Sequence, residues 1–266
     1  MAPSALVSLA DMPSALVTGV SRGLGAEICR ALKAAGYRVL GAGLAAAPRN
    51  DDLDGYQVID LRKPLSEEQL AFADDDVVDV LVNNAGVYLD DPRRGYGDFF
   101  ALSPDDLRET FEVNLFGPAQ LVRHHAPRMM TRASGRIVSV SSGMGRLQDA
   151  DGASFAYRSS KLAVNSLIVT VARHFAETQE NLAAFSFCPG WIRTGMGTRS
   201  APHDPKTAAT DLVRLLERPA TEVNGRFFRG SEELGWDTRG PFVTDQQFVK
   251  HEQFVKHEQF VKDSSS

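Results

Sequence analysis

The chain has few cysteines and no excess of positive charge, and each absence excludes a class of protein. Its two cysteines, Cys29 and Cys188, stand apart in apolar surroundings, without the spacing of a disulfide framework or of metal ligands. Both are predicted to be buried small side chains, and no metal site is expected. The formal net charge of −5 leaves no basic surface for nucleic acid.

Membrane segments are missing as well. No stretch is long and apolar enough to cross a bilayer, and the first residues lack the charged and then apolar pattern of a secretory signal. We therefore expect a cytoplasmic protein with no membrane partner.

What is present is an alternation of short apolar runs with amphipathic stretches, in a chain of 266 residues that is 43% hydrophobic. The first apolar run, 15–17, ends at Thr18-Gly19; a helical pattern follows from Leu24, with Gly36 at the position of a C-cap. Further strands are predicted at 38–41, 56–59, 78–82, 136–140, 183–187 and 226–228, and further helices at 103–113, 120–131, 157–177 and 206–216. The alternation predicts an α/β fold with a doubly wound parallel sheet flanked by helices.

Both ends depart from this pattern. Pro-Ser-Ala-Leu-Val occurs at 3–7 and again at 13–17, and only the second copy leads into a glycine-rich turn. Residues 1–12 are therefore predicted to be an extension of a domain at 13–240. Residues 241–266 repeat Gln-Phe-Val-Lys from Gln247, Gln253 and Gln259, a step that scatters the apolar pairs around a helix. We interpret this segment as a disordered tail, with a docked element as the alternative.

The glycine-rich turn is Thr18-Gly19-Val20-Ser21-Arg22-Gly23-Leu24-Gly25, between the first strand and the first helix. Glycines here permit a tight bend, a close approach of the backbone to a pyrophosphate and close packing of helix on strand. Glycine also ends strands for purely structural reasons. The prediction therefore depends on the position of the turn at the start of a βαβ unit. The turn predicts that a dinucleotide binds.

Tyr157 and Lys161 lie four positions apart at the start of a predicted helix, so their side chains share one face. A phenol has a pKa near about 10, and a nearby ammonium lowers that pKa by stabilising the phenolate. The pair could therefore serve in acid–base chemistry. Taken alone it would be an ordinary surface pair.

Three motifs occur together: TGxxxGxG at 18–25, Asn83-Asn84-Ala85-Gly86 after the fourth strand, and Tyr157 with Lys161. In this order, and over about 14–236, they resemble the short-chain dehydrogenase/reductase family. The resemblance implies a single-domain Rossmann-type fold. It implies four catalytic residues, namely Ser142 (with Ser141 as a nearby alternative), Tyr157, Lys161 and Asn114. It also implies a set of cofactor-binding positions: Gly19, Ser21, Arg22, Gly23, Leu24, Gly25, Asp60, Leu61, Asn84, Ala85, Gly86, Tyr157, Lys161, Pro189, Gly190, Ile192 and Thr194.

The implied mechanism in the reducing direction begins with Ser142, which donates a hydrogen bond to the substrate carbonyl. A nicotinamide cofactor delivers the hydride and Tyr157 supplies the proton. Lys161 tunes Tyr157 and holds the nicotinamide ribose, while Asn114 anchors a water that relays protons. Asp60 meets the adenine, and Thr194 contacts the nicotinamide amide.

The end of the second strand bears on which cofactor is used. Gly43 stands where relatives that prefer NAD have an acidic residue, and Arg22 resembles the basic residue that relatives preferring NADP present to the 2′-phosphate. Leu44 is not a second basic residue there, and whether Arg49 reaches the site stays open. NADP(H) is therefore favoured, with NAD(H) as the alternative.

The C-terminal third resembles the carbonyl-reductase branch of the family, through 188–196, 206–209 and 224–228. This implies reduction of ketones or aldehydes with NADPH, and a mobile substrate flap near 195–205. Trp191, Met196 and Tyr88 could line an apolar pocket or simply pack. The alternatives are an NAD-dependent alcohol or hydroxysteroid-type dehydrogenase and a non-catalytic dinucleotide sensor.

A homo-oligomer, dimer or tetramer, is also expected. The helix at 157–177 carries apolar residues on more than one face, and only one face can cover the sheet. A symmetric partner offering the same helix would cover the second face. Cover from the helix at 120–131 or from the C-terminal repeat is the competing interpretation.

Overall fold

Each predicted strand forms in the computed structural model, which describes residues 12–46, 50–73, 78–150, 152–178 and 181–236. The strands are β1 Ser14–Thr18, β2 Arg38–Gly43, β3 Gly55–Val58, β4 Val80–Asn83, β5 Ser134–Val140, β6 Asn181–Cys188, β7 Phe227–Arg229 and β8 Glu232–Leu234. The helices are α1 Gly23–Ala34, α2 Glu67–Leu70, α3 Pro104–Phe111, α4 Gly117–Arg132, α5 Phe155–Thr178, α6 Pro205–Leu216 and α7 Ala220–Val223.

The strands form one sheet in the order β3-β2-β1-β4-β5-β6-β7-β8, and the pairs from β3 to β7 are parallel. Because β1 pairs with both β2 and β4, the strand order reverses there. In doubly wound sheets such a reversal opens a crevice at the carboxyl ends of the strands. The predicted fold class is confirmed.

Apolar side chains cover both faces of the sheet. On one face α1 and α6 contribute Ile28 and Leu212 to the core, and both side chains are fully buried. On the other face α4 and α5 contribute Met129, Ile168 and Phe175, which are equally buried. Helix α1 has Ala35 as its C-cap, one residue before the predicted Gly36, which takes a φ of +85° at the next position. The helices therefore fix the strand ends that form the crevice.

The edge of the sheet has one strand, β8, that the sequence does not predict. β8 runs antiparallel to β7, with Phe227 opposite Leu234 and Arg229 opposite Glu232. Gly230, with a φ of +57°, makes the turn between the two strands. Strands of three residues are too short to show an alternating pattern, which is why the sequence did not predict this hairpin.

The predicted helices at 103–113 and 120–131 are continuous in the structure. α3 runs through a π-helical turn, Glu112–Phe116, directly into α4. Asn114 lies within this turn and is 1% exposed. A π turn often marks a functional position in a helix, and here it contains a predicted site residue.

Cys29 and Cys188 are both buried, as predicted. The predicted tail and the predicted extension, apart from Met12, lie outside the described residues, so both stay predictions. Within the described ranges, no helix could cross a membrane and no three metal-ligating side chains come together.

Candidate active site

A cleft of about 1270 Å³ opens at the carboxyl ends of the central strands. Pockets for single small ligands usually have roughly 300–1,000 Å³, so this cleft has room for a dinucleotide and a small substrate together. Every predicted site residue except Asn114 lines it. The structure therefore brings together positions that are spread from Gly19 to Thr194 along the chain.

The glycine turn forms one wall, and three of its positions carry no side chain. Gly19 and Gly23 have φ values of +73° and +60°, which few other residues adopt. A Cβ on Gly25 would lie 2.2 Å from the Gly19 carbonyl oxygen and 2.6 Å from Asn84 Nδ2. A cradle that a single Cβ would fill suits a pyrophosphate held close to the backbone at the start of α1.

The loop after β4 is bonded directly to this turn. Asn84 Nδ2 donates to the carbonyls of Thr18 and Gly19, at 2.8 and 3.2 Å. In return Thr18 Oγ1 accepts the backbone N–H groups of Asn84 and Ala85, at 3.1 and 3.0 Å. Asn84 thus fixes the two loops against each other, and the following Ala85 and Gly86 line the cleft.

Asp60 lies at the end of the cleft beyond β3, where it is paired with Arg62. The guanidinium donates from Nε and Nη2 to the two carboxylate oxygens, at 2.8 and 2.9 Å. These hydrogen bonds lower the pKa of Asp60. Arg62 also lines the cleft, although no motif in the sequence marks it.

The residues that bear on cofactor choice lie where β2 ends. Gly43 and the 60% exposed Leu44 present no carboxylate. Arg22 is exposed at the start of α1, and a Cβ on Gly195 would lie 3.7 Å from its Nη1. Arg49 lies outside the described residues. The guanidinium of Arg22 is therefore close both to the glycine turn and to the predicted flap.

Tyr157 lies deep in the cleft and is only 8% exposed. Its ring stacks on that of Tyr88, with centroids 4.2 Å apart. Burial raises the pKa of Tyr157, and this effect outweighs the opposite effect of a hydrogen bond with the Ser142 side chain. The lowered pKa that we expected from Lys161 is not found, because desolvation of the phenolate dominates.

Lys161 lies one helical turn further along α5 and is also buried. Its Nζ donates to the Val140 carbonyl at 2.8 Å and lies 5.6 Å from the centroid of the Tyr157 ring. Burial lowers the pKa of Lys161 to about 8. The tyrosine and the lysine thus share one helix face, as their spacing predicted.

Ser142 follows β5 on the cleft side. Its Oγ accepts the N–H of Met144 at 3.2 Å, and its side chain hydrogen-bonds to Tyr157. The alternative, Ser141, donates instead to the Lys161 carbonyl at 3.4 Å, on the buried side of the loop. The geometry favours Ser142 as the hydroxyl that meets a substrate.

Asn114 lies behind the wall of the cleft. Its side chain exchanges two hydrogen bonds with the backbone of Val87, both 2.9 Å, and donates to Ser160 Oγ at 3.0 Å. A Cβ on Gly86 would lie 3.2 Å from Asn114 Oδ1 and 3.5 Å from Lys161 Nζ. Asn114 and the lysine therefore flank the same glycine.

The loop after β6 closes the far side of the cleft. Pro189, Gly190 and Ile192 line it, and Thr194 Oγ1 accepts the Gly197 N–H at 3.1 Å. The Trp191 indole donates to the Gly197 carbonyl. Trp191, Met196 and Tyr88 all line the cleft, so the pocket-lining alternative for these three is the one observed.

Two neighbouring carboxylates near Tyr157 were missed. Asp90 and Asp91 are 2% and 1% exposed. Burial raises the pKa of Asp90; for Asp91 burial acts in the same direction, but hydrogen bonds from Arg93 outweigh it and the pKa is lowered. The only sequence signal is an acidic pair shortly after the Asn-Asn-Ala-Gly motif, which by itself suggests an exposed loop.

Comparisons with known proteins agree with this arrangement. Residues 13–205 match the family described as short chain dehydrogenase. The chain is 29% identical to oxidoreductase UcpA of Escherichia coli (strain K12), over 76% of this chain and 80% of the relative. It is 30% identical to the NADPH-dependent pterin aldehyde reductase of Arabidopsis thaliana, over 72% and 79%. Among solved structures it is similar to the carbonyl reductase Sniffer of D. melanogaster, with a TM-score of 0.74 and 25% identity over 85% of this chain and 100% of that one.

Proposed function

Because this chain belongs to the short-chain dehydrogenase family, we propose that it transfers a hydride between NADP(H) and a carbonyl or alcohol substrate. Membership makes the chain an oxidoreductase that acts on CH–OH or carbonyl groups with a nicotinamide dinucleotide. The proposal adds the cofactor preference, the residues and the direction.

One observation carries it. Tyr157, Ser142 and Lys161 line the same cleft as the glycine turn, so acid–base groups and a dinucleotide cradle share one cleft. A non-catalytic sensor would need the cradle alone. The presence of all three acid–base residues beside the glycine turn favours an enzyme over a sensor.

The chain's residues divide the work of reduction. Ser142 donates a hydrogen bond to the carbonyl oxygen and polarises it. Tyr157 gives its hydroxyl proton to that oxygen while the carbon accepts the hydride, which is what the cofactor supplies when bound. Lys161, in its ammonium form, stabilises the phenolate left behind, and Asn114 anchors the water that returns the proton. The product is an alcohol.

Burial raises the pKa of Tyr157, so the phenol that donates the proton in reduction is the form present at neutral pH. Reduction leaves the same phenolate from which oxidation starts, so this pKa does not decide the direction. The names of two relatives, an aldehyde reductase and a carbonyl reductase, support a ketone or aldehyde substrate.

NADP(H) is preferred over NAD(H) in this proposal. Gly43 and Leu44 provide no carboxylate to bind the ribose hydroxyls and repel a 2′-phosphate, and Arg22 offers a guanidinium to pair with that phosphate. The pterin aldehyde reductase is named for the same cofactor.

We also infer that the enzyme is a homo-oligomer. Phe116, beside α4, and Phe155 and Leu162 on α5 are 49%, 45% and 38% exposed. Large apolar side chains exposed on two neighbouring helices are typical of an association surface. A two-fold partner that offers the same helices would cover them.

The test is turnover of a panel of ketones and aldehydes, followed by the absorbance of reduced nicotinamide, with NADPH and NADH and in both directions. Tyr157→Phe should lower kcat by about 10²–10⁴-fold while cofactor binding persists, because only the proton donor is removed. Tyr37→Phe is the matched control, since it removes a phenol just before β2, at the opposite end of the sheet, and should leave kcat unchanged. Near-normal turnover in Tyr157→Phe would contradict the proposal.

A further inference from the structure

The segment 88–94, hereafter the strap, lies between two parts of the site that the sequence motifs do not connect. On one side it contacts the start of α5, which carries Tyr157. On the other it contacts residues 195–197 of the predicted flap. Neither contact follows from a sequence motif.

Asp90 makes the contact with α5. Its carboxylate accepts the backbone N–H of Ala156 at 2.6 Å and that of Tyr157 at 3.2 Å. These amides lie in the first helical turn, where no partner within the helix is available. These hydrogen bonds favour the charged carboxylate, although they do not outweigh its burial, and the pKa of Asp90 is raised.

Tyr88 reinforces this contact. Its ring stacks on that of Tyr157, and its hydroxyl hydrogen-bonds to Ser154 Oγ at 2.6 Å. Ser154 directly precedes α5 and holds a φ of +61°, which is unusual for serine. The strap thus binds the helix start through both backbone and ring.

Asp91 and Arg93 make the contact with the flap. Arg93 donates from Nε and Nη2 to the two oxygens of Asp91, at 2.8 and 2.7 Å. The same guanidinium donates to the carbonyls of Met196 and Gly197, at 3.0 and 3.4 Å. Arg94 adds a hydrogen bond to the Gly195 carbonyl at 2.9 Å.

Arg93 is more suited to holding the flap than to binding an anion. Four hydrogen bonds already engage its donors, and its charge is paired with a carboxylate in bidentate geometry. Its guanidinium also lies over the rings of Tyr88 and Trp191, at 5.6 and 5.9 Å. The side chain therefore joins the strap, the flap and the aromatic wall.

We propose that Asp90 and Asp91 are positioning residues with separate tasks: Asp90 sets Tyr157 for proton transfer, and Asp91, through Arg93, holds the flap over the substrate. The roles of these residues in proton transfer and substrate binding rest on the proposed function. Their contacts with α5 and with the flap do not depend on it.

Separate tasks imply separate kinetic effects. Tyr157 transfers its proton after the substrate is bound. Loss of Asp90 displaces Tyr157 and therefore lowers kcat. A loosened flap weakens the bound substrate and transition state equally, so loss of Asp91 raises the KM for the carbonyl substrate. The asparagine variants should show smaller effects than the alanine variants, because an amide oxygen still accepts a hydrogen bond.

The first measurement is backbone amide exchange in the purified full chain, read in peptides covering 155–160 and 193–199. Asp90→Ala should speed exchange of the Ala156 and Tyr157 amides by about 10–100-fold, the usual weight of a hydrogen bond to a charged group, and leave the flap peptide unchanged. Asp91→Ala should speed exchange in the flap peptide and leave the Ala156 and Tyr157 amides unchanged. Where an alanine variant does not fold, the asparagine variant should give a smaller increase in exchange in the same peptide.

The second measurement is the kcat and KM of the same variants with NADPH and a turned-over carbonyl compound. We expect Asp90→Ala to lower kcat about tenfold or more, and Asp91→Ala and Arg93→Lys to raise KM by a similar factor. Asp98→Ala is the matched control: Asp98 caps a short exposed helix on the same loop through the Phe100 N–H and touches neither Tyr157 nor the flap.

The outcomes separate the two proposals. The inference is supported if each alanine variant speeds exchange in its own peptide only, and if Asp90→Ala lowers kcat while Asp91→Ala raises KM. Exchange that rises in both peptides for either variant, or in neither, overturns it. Crossed exchange effects in a chain that turns over no carbonyl compound would support the positioning role while contradicting the proposed function.

Discussion

The two ends of the cleft are built from different materials. At the cofactor end much of the wall is backbone: Gly19 and Gly25 leave no room for a side chain. At the substrate end the walls are buried side chains that hold one another, among them Asp91 and Arg93. The cofactor end depends on positions that have no side chain. The substrate end depends on charged and aromatic side chains that contact one another.

The difference teaches how each end can fail. A backbone cradle tolerates no added atoms but carries almost no desolvation cost. Buried polar side chains carry that cost permanently, because water no longer solvates them. Additions should therefore damage the cofactor end, whereas removals and pH changes should affect the substrate end.

The largest effect is expected at Lys161. Its pKa is about 8 in the folded chain and 10.5 when exposed, so between these pH values the unfolded chain holds a proton that the folded chain lacks. The free energy of unfolding of the wild type, relative to Lys161→Met, should therefore rise with pH across this window, by as much as about 3 kcal/mol. Denaturant unfolding of the cofactor-free chain from pH 7 to 10 measures it.

The same substitution at an exposed lysine, Lys206→Met, is the control for replacing an ammonium by a thioether. A difference between wild type and Lys161→Met that does not change with pH would mean that water reaches Lys161 in solution. The substrate end would then carry no desolvation cost at this position, and the comparison would fail there.

The next effect concerns an added methyl group at the cofactor end. Gly25→Ala would place a Cβ 2.2 Å from a backbone oxygen, so the turn must shift. Forced overpacking costs roughly 1–3 kcal/mol, so we expect dinucleotide binding to weaken by about 10–100-fold in a fluorescence titration.

Gly36→Ala tests the other end of the same helix. Unlike Gly25, Gly36 has a positive φ, but nothing lies within 4 Å of its would-be Cβ. This variant should lose about 1 kcal/mol of stability through backbone strain and keep its cofactor affinity. Equal cofactor affinities in the two variants would show that the turn is not a tight cradle.

The cofactor end could be predicted from the sequence because its signals are local. A turn that needs glycine must contain glycine at fixed spacing, and parallel strands bring all such turns to one edge of the sheet. The motif after β4 and the pair on α5 follow the same logic. The more distant positions, such as Thr194, were assigned to the cleft only because the three motifs together resemble a known family.

The substrate end could not be predicted in the same way. Asp90 meets Ala156 across 66 positions, and Arg93 meets Met196 across 103, with no spacing rule that links them. The choice between Ser141 and Ser142 also needed the direction of each side chain. The β7–β8 hairpin and the π turn at Asn114 depend on tertiary packing that overrides local pattern.

The smallest effect, and the one that defines the cofactor end most finely, is expected at Arg22. This exposed residue is the one side chain at the glycine turn with a charge, so it is the exception to a wall made of backbone. If it pairs with a 2′-phosphate, Arg22→Ala should weaken NADPH about tenfold and leave NADH nearly unchanged, because only NADPH carries that phosphate. Titrations of both reduced cofactors against wild type and variant measure the ratio.

Arg62→Ala supplies the contrast, because Arg62 lies in the same cleft and is paired with Asp60 instead of facing a phosphate site. It should change the two affinities by the same factor. The neighbourhood of Arg22 offers a second possibility, since its Nη1 also lies close to Gly195 of the flap. If Arg22 mainly supports the flap or the turn, Arg22→Ala will weaken NADPH and NADH equally, and the preference for NADP(H) will lose its main support. A selective loss of affinity for NADPH would instead show that a charged side chain, Arg22, binds the 2′-phosphate at the end of the cleft that is otherwise formed by glycine.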